Sequence, residues 1–259
     1  MNKNAFLVIA PMVLAIPLST PSRAEVVWSG PNQPDSSTLA LFHFDESGPR
    51  VLDSSQRGYE LPLGNESSRS PDAPQWSTSP EGRYLTPTGD KDTGTTGITE
   101  TLEIPDVDFN QGLTISFWYQ PRPDEPQSGE LFQMEGPRVR VTTDDFGPGA
   151  NGRIRLIAPG CTEDSPSILA DSGAEPRWRH VAVVYDPLDA NASNGGKWTL
   201  FLDGTEVGAS EDPDDLSQDT NLRVRIGGNV WNNAPLQGVD LDEFLVANKV
   251  ITDFENPAR

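Results

Sequence analysis

The chain has 259 residues, and its 39 acidic side chains outnumber the 19 basic ones, which gives a formal net charge of −20. Such an acidic surface repels nucleic-acid phosphates and anionic lipid head groups, so nucleic acid is not an expected partner. The 23 Gly and 24 Pro exclude a mostly helical fold, whereas six Trp and ten Phe exclude a disordered acidic chain.

Residues 1–24 are predicted to be a signal peptide. A short basic segment precedes the apolar run 5–18, which is too short to span a bilayer comfortably. Ser22 and Ala24 place small residues where a signal peptidase reads them, which predicts cleavage after Ala24. No Cys directly follows this run to carry a lipid anchor, and the chain has no second long apolar run. We therefore expect an exported protein, periplasmic or extracellular, without membrane insertion.

Strand patterns begin at Thr38, after residues 25–37, which are predicted to be a flexible N-terminal arm. Short segments in which apolar and polar residues alternate are typical of strands with one buried face. The one predicted helical turn covers residues 252–255, with Thr252 as its cap. Evenly spread antiparallel strands in one domain predict a sandwich or a barrel. About ten strands are predicted, at residues 39–44, 98–104, 113–119, 129–135, 138–142, 153–158, 178–185, 197–202, 222–226 and 239–246.

Two of the predicted strands are basic on one face only. Over residues 138–141 and 153–156, arginine alternates strictly with Val, Ile or Leu. Because successive side chains of a strand point to opposite faces, the arginines of each segment share one face and the aliphatic residues share the other. We expect the aliphatic faces to join the core and the basic faces to meet water.

Four segments in order carry a family resemblance: residues 39–53, then LTISFWYQP at 113–121, then WRHVAVVYD with KWTLFLDGTEVG over 178–208, then residues 225–255. Their order and spacing resemble the laminin-G-like, or concanavalin A-like, jelly-roll domains of secreted proteins. The resemblance implies an all-β fold, an antiparallel jelly-roll sandwich of two curved sheets, over residues 38–259. It does not select a function, because this superfold hosts lectins, enzyme domains, pentraxins and adhesion modules.

Calcium is the cofactor that the resemblance implies, with a structural role. Related jelly-roll domains often carry a calcium ion that ties the N-terminal strand to the last strand. Here the matching carboxylates are Asp45 in FDESG and Asp242 in LDEF, with backbone carbonyls near Gly48 to complete the shell. The alternative is that Asp45 begins a turn and that Asp242 faces solvent or caps a loop.

The predicted ligand-binding residues are Asn229, Trp231 and Asn232, in a loop between two strands. The indole ring can stack on a sugar while the amides hydrogen-bond its hydroxyls. The alternative is that this loop merely joins two strands, with Trp231 folded over the edge of the sandwich. Trp118 and Trp178 lie in alternating strand patterns and are predicted to belong to the core instead.

Several polar residues are predicted to have structural roles. Asp203 precedes Gly204 and is predicted to form a hairpin turn. His43 and His180 are predicted to be strand residues with satisfied hydrogen bonds, and residues 210–220 a solvated acidic loop.

The leading hypothesis is a secreted, non-catalytic module that binds extracellular carbohydrate or protein with calcium assistance. One alternative is a glycoside hydrolase or lyase that uses Asp240, Asp242 or Glu243, since carboxylates two residues apart share one face of a strand. Glycoside hydrolases of this fold carry Glu-x-Asp-x-Glu, and Gly238 stands where the first Glu is needed. The other alternative is a structural component of an envelope or matrix.

Overall fold

A computed structural model of the chain describes residues 32–46, 50–62, 75–79, 82–86, 101–122, 129–135, 138–143, 153–159, 168–171, 176–187, 195–212, 216, 220–227, 236 and 238–254. Sixteen strands lie in this part: β1 Thr38–Phe42, β2 Arg50–Leu52, β3 Glu60–Pro62, β4 Gln75–Ser79, β5 Gly82–Thr86, β6 Leu102–Pro105, β7 Leu113–Pro121, β8 Gly129–Glu135, β9 Val139–Thr143, β10 Arg153–Ile157, β11 Ile168–Asp171, β12 Arg179–Asp186, β13 Gly196–Leu202, β14 Thr205–Asp212, β15 Asn221–Ile226 and β16 Val239–Ala247. A short 3-10 helix covers Phe109–Gln111. None of the described helical segments is long and apolar enough to cross a membrane.

Two antiparallel sheets make up the fold, together with the hairpin β2–β3. The eight-stranded sheet has the order β14-β13-β12-β7-β16-β5-β4, with β1 also paired to β16, and the six-stranded sheet has the order β11-β10-β9-β8-β15-β6. In the pair β1–β16, Phe42 stands opposite Phe244. The predicted all-β antiparallel sandwich is confirmed, and the N-terminal strand pairs with the last long strand.

The hydrophobic core lies between the two sheets, as the alternation of the strands requires. In β7, Phe117 faces the core, where its ring stacks on Phe244 of β16 at a centroid distance of 5.7 Å. Phe132 of β8, in the other sheet, meets these two rings edge-on at 5.8 and 6.0 Å. Burying each such ring contributes about 1.5–3 kcal/mol, so this trio is one of the contacts that hold the two sheets face to face.

A second, smaller apolar cluster covers part of the opposite face of the eight-stranded sheet. Ala182, Val184 and Phe201 form it together with Phe254, and Val250 and Ile251 pack against it. The segment after β16 is fixed there by the hydroxyl of Thr114, which donates to the Lys249 carbonyl and accepts from the Ile251 N–H. The central strands of this sheet are therefore covered on both faces at this point.

The predicted helical turn at residues 252–255 is wrong over the part that the structure describes. Residues 251–254 run without helical hydrogen bonding, and the Phe254 ring is buried against Phe201 and His180 at centroid distances of 5.2 and 5.3 Å. A single helical turn is hard to nucleate, and the burial of one aromatic side chain outweighs its local propensity.

Candidate functional site

The predicted ligand-binding residues Asn229, Trp231 and Asn232 lie outside the described residues, between the end of β15 at Ile226 and the start of β16 at Val239. Their role stays a prediction.

The two predicted calcium ligands lie in different surroundings. Asp45 is exposed, three residues beyond the end of β1, whereas Asp242 is only 6% exposed within β16 and accepts a hydrogen bond from the N–H of Glu243 at 3.0 Å. Calcium takes about six to eight oxygen ligands, so two carboxylates cannot complete a shell. Among the described side chains, no group of three or more His, Cys, Asp or Glu could hold a metal ion, and Gly48 lies outside the described residues. The calcium site stays a prediction that would need backbone carbonyls.

An irregularity in β16 turns Glu243 away from the regular strand pattern. The register with β7 shifts between Asp242 and Leu245, and Glu243 has a φ of 51°. Its carboxylate lies 2.7 Å from Nδ1 of His43 and accepts the N–H of Asn32 at 3.0 Å. The hydrogen bond to Glu243 is the main cause that raises the pKa of His43 above its ordinary value. Glu243 therefore ties residue 32 and the residue after β1 to the last strand.

The carboxylates of β16 are arranged unlike a substrate-facing catalytic pair. Asp240, Asp242 and Glu243 are all buried, and Oδ1 of Asp240 lies 3.5 Å from Nε of Arg122. In glycoside hydrolases the two carboxyl groups flank the bond that is cleaved and must reach the substrate. The geometry of β16 favours roles in holding the chain together.

His180 differs from its predicted state. It is a strand residue, as expected, but it is buried between the rings of Trp118 and Phe254, each 5.3 Å from its own ring. Its Nδ1 has no hydrogen-bond partner in the described part of the chain, so the predicted satisfied hydrogen bond is wrong at this atom. Burial lowers the pKa of His180 to about 3. Trp118 is buried as predicted.

Two aspartates have structural roles beyond those predicted. Asp203 forms the expected turn with a φ of 49°, and its carboxylate also lies 2.6 Å from Nε of the buried Arg179 and accepts the N–H of His180. The prediction of a solvated loop at residues 210–220 is wrong for Asp212, because β14 extends to this residue. The Asp212 side chain is buried and accepts a hydrogen bond from the indole N–H of Trp198 at 2.6 Å. A buried indole N–H needs an acceptor, which explains why this acidic residue lies inside.

The outer side of the six-stranded sheet is polar and is called the arginine face below. Its middle is covered, since Glu130, Gln133 and Thr142 are only 3%, 5% and 8% exposed. The core side of this sheet consists of residues such as Val141, Leu156 and Val224, so the alternating residues point outward. The arginine face is formed by Arg140, Arg153, Arg155, Arg223 and Arg225, with Gln133, Thr142, Glu103, Glu130 and Glu135, and the register places Asp171 of β11 opposite Arg153.

Strand register places the members of the arginine face in rows. Arg225 of β15 stands opposite Gln133 of β8, and Gln133 stands opposite Arg140 of β9. In the next row Thr142 stands opposite both Glu130 and Arg155. With neighbouring strands about 4.8 Å apart, each row spans roughly 10–14 Å across the sheet. The arginines are thus held on regular strands of a rigid sheet.

Several side-chain contacts join the members of the arginine face. Nη1 of Arg140 lies 3.3 Å from Glu130, and Nη2 of Arg225 donates to Thr101 at 3.3 Å. Arg223 contacts Glu135 at 2.8 Å and Glu103 at 3.3 Å.

Glu130 lies buried among these arginines. Burial raises its pKa to about 7, opposed mainly by the charge of Arg140. The Thr142 hydroxyl beside it has no hydrogen-bond partner in the described residues. The alternation in the sequence predicts only the arginines of β9 and β10 on this face. Arg225 and Gln133 join them through strand pairing, which alternation within a single strand does not show.

A family model described as the concanavalin A-like lectin/glucanases superfamily matches residues 92–255, well over half of the chain. The chain belongs to this superfamily. The concanavalin A-like fold agrees with the two antiparallel sheets described above. In this chain the arginine face lies on one sheet and the buried β16 carboxylates lie on the other. No curated protein matches the chain significantly.

Solved structures with the same fold include receptor-binding domains of toxins. The botulinum neurotoxin type G receptor binding domain is 13% identical with a TM-score of 0.51, and a mutant of a domain named HCR/D is 13% identical with a TM-score of 0.53. Each match covers 85% of this chain and 50% of the other, so the chain spans about half the length of these structures. At this identity the similarity shows the concanavalin A-like fold alone.

Proposed function

We propose that the chain is a non-catalytic binding module for extracellular carbohydrate or protein. The observation that carries this proposal is the arginine face, where exposed and half-buried arginines stand on neighbouring strands of one sheet. A preorganised polar surface binds without a large ordering cost, since its side chains are already held in place. Membership of a superfamily that includes lectins, and the resemblance to a domain named as receptor-binding, support the same function.

The proposal includes export, with residues 1–24 as the signal peptide and the periplasm or the extracellular space as the destination. An exported acidic module meets glycans and surface proteins as its available partners.

Binding without cleavage is tested by incubating the protein with a panel of neutral and acidic polysaccharides. We expect material to be retained by the protein and no new reducing ends above those of a blank, because the carboxylates of β16 are buried. Release of reducing ends that disappears in the Asp242→Asn variant would instead support the glycoside hydrolase alternative. Glu60→Gln, which changes an exposed carboxylate in the hairpin β2–β3, is the matched control variant.

We also propose that a structural calcium ion binds Asp45 and Asp242 and thereby links the segment after β1 to β16. Millimolar calcium is expected to raise the melting temperature by a few degrees, since a ligand that binds only the folded chain stabilises it. The exposed Asp45 makes Asp45→Asn the cleaner variant, and it should abolish the shift while Glu60→Gln keeps it. An unchanged melting curve in calcium and in chelator removes the calcium site.

The same chelator experiment addresses the structural alternative. A protein that loses thermal stability in chelator, and binds nothing on glycan and protein arrays, is better described as a structural envelope or matrix component.

A further inference from the structure

We propose that a polar cavity between residues 34–38 and the turn at residues 55–57 is a second binding site, and that its ligand is a small carboxylate that also carries a hydroxyl group. None of the residues that line this cavity belongs to the arginine face. The inference goes beyond the proposed function, since it needs neither a polysaccharide nor a protein as the partner.

The cavity has the size of a small-molecule site. Its volume is about 400 Å³, and such sites typically measure about 300–1,000 Å³. Ser36, Gln56 and Arg57 are exposed, so a ligand can reach them from solvent, whereas Thr38 and Ser55 are buried at its base. The cavity therefore combines accessible polar groups with a floor that belongs to the folded core of the chain.

One wall of the cavity is held by the segment that follows β16. The Asp35 carboxylate accepts a hydrogen bond from Nζ of Lys249 at 2.6 Å, and it also accepts the N–H and the hydroxyl of Ser37. The hydrogen bond from Lys249 is the main cause that holds the pKa of Asp35 well below its ordinary value. The N–H of Asn248 donates to the Ser37 carbonyl at 2.8 Å. Asp35 is therefore ionised and already paired.

The other wall is held by Asp53, which lies behind it. The Asp53 carboxylate accepts the N–H and the hydroxyl of Ser55 at 2.8 and 2.6 Å, and the N–H of Leu41 in β1 at 2.9 Å. The N–H of Ser54 donates to the Leu41 carbonyl at 2.8 Å. Both walls are thus fixed by contacts within the protein, which lowers the ordering cost of binding a small molecule.

Arg57 supplies the charge that a ligand would pair with. In the described part of the chain its guanidinium makes no hydrogen bond or ion pair, whereas Asp35 is paired with Lys249. A guanidinium is a planar fork that pairs with the two oxygens of a carboxylate through parallel hydrogen bonds. Asp35 and Asp53 stand close by and oppose a second negative charge on the ligand, so a monocarboxylate is favoured over a phosphate dianion.

Two neutral side chains beside Arg57 favour a ligand with a hydroxyl group. The Ser36 hydroxyl and the Gln56 amide have no hydrogen-bond partner among the described residues. Both can donate to a ligand hydroxyl and accept from it. Gln56 has a φ of 73°, which glycine adopts without strain and a residue with a side chain does not. A substitution at this position can therefore remove the amide without harming the fold.

The test titrates the full chain with acetate, lactate, inorganic phosphate and lactamide at low ionic strength, and ligand-observed NMR measures the binding. We expect lactate to bind more tightly than acetate, which lacks the hydroxyl. Lactamide lacks the charge and should bind at least about tenfold more weakly than lactate, because a hydrogen bond to a charged group is lost. Added salt should weaken lactate binding, since the exposed Arg57 is screened.

Arg57→Gln is expected to weaken lactate binding at least about tenfold. Arg50→Gln removes an exposed arginine from the hairpin β2–β3 and should change it less than twofold. Arg57→Lys keeps the charge but loses the fork and should fall between them. Gln56→Gly should weaken lactate binding by about two- to tenfold while the melting temperature stays the same or rises, which separates a lost contact from a damaged fold.

The outcomes separate this inference from the proposed function. Lactate binding that survives Arg57→Gln, phosphate binding as tight as lactate binding, or no binding of either carboxylate overturns the assignment of a small carboxylate to this cavity. Retention of polysaccharide or protein by the chain should be the same in Arg57→Gln as in the wild type. Loss of that retention in Arg57→Gln overturns the second site, because both kinds of ligand would then share one surface.

Discussion

Replacement of Asp203 by Ala is expected to lower the free energy of unfolding by about 2–4 kcal/mol, because it removes the carboxylate that pairs with a buried guanidinium. The Arg179 side chain is only 2% exposed, and its Nε lies 2.6 Å from Asp203. The same carboxylate accepts the N–H of His180, and the φ of 49° at residue 203 is unfavourable for alanine. Urea unfolding at neutral pH measures the loss.

Two variants separate these causes. Asp203→Asn keeps a residue that tolerates the turn and an oxygen for the His180 N–H, so the expected cost is about 1–2 kcal/mol. Glu60→Ala breaks an exposed pair with Arg50 of 3.1 Å, which should cost less than about 1 kcal/mol. An Asp203→Ala variant as stable as Glu60→Ala would contradict a structural role for the buried pair.

Acid is expected to destabilise the protein through His180, and His180→Phe should abolish that part of the pH dependence. The pKa of His180 is about 3 in the folded chain and near its ordinary 6.5 when unfolded. Between these values the unfolded state binds the proton, so the stability is present above pH 6.5 and is lost as the pH falls. At about 1.4 kcal/mol per pH unit, the loss from pH 7 to pH 4.5 is roughly 2–3 kcal/mol.

Glu130 acts in the opposite direction over almost the same pH range. Its pKa is raised from 4.5 to about 7 on folding, so the folded state binds the extra proton and gains stability as the pH falls through this range. The measured quantity is therefore the difference in unfolding free energy between wild type and His180→Phe at pH 7, 5.5 and 4.5, from which the Glu130 contribution cancels. A difference that does not change with pH contradicts the buried neutral histidine.

His43→Gln is the matched control for this measurement. Its pKa is raised by the hydrogen bond to Glu243, so His43 contributes stability that is lost as the pH rises above the ordinary value of 6.5. The His43→Gln variant should alter the neutral and alkaline side of the profile and leave the acid loss intact.

The sequence predicts the fold class because the information for it is local. Alternation over residues 113–119 and 178–185 and the turn at Asp203 depend on neighbours along the chain, and the structure confirms them. Where local propensity was weak, tertiary contacts decided the outcome, as at residues 252–254, where burial of Phe254 replaced a helical turn.

The candidate site is less predictable because its contacts are distant in sequence. His43 and Glu243 are 200 residues apart, and only the irregularity in β16 brings their side chains together. The acidic residues that follow Asp212 predict a solvated side chain. The local sequence pattern does not identify Trp198 as its hydrogen-bond partner. Only part of the arginine face could be predicted from the sequence, since alternation identifies the arginines of one strand but does not show which strands are neighbours.

The polar side of the six-stranded sheet bears on how the surface of this chain can change while its fold is kept. The side chains of Arg153 and Arg223 are exposed, so exchanging them changes surface chemistry at a typical cost within about 0.5 kcal/mol. The eight-stranded sheet lacks this freedom where the segment ending in Phe254 covers it, because a substitution on either of its faces meets packed neighbours. New recognition properties can thus evolve on one sheet while the other preserves the scaffold.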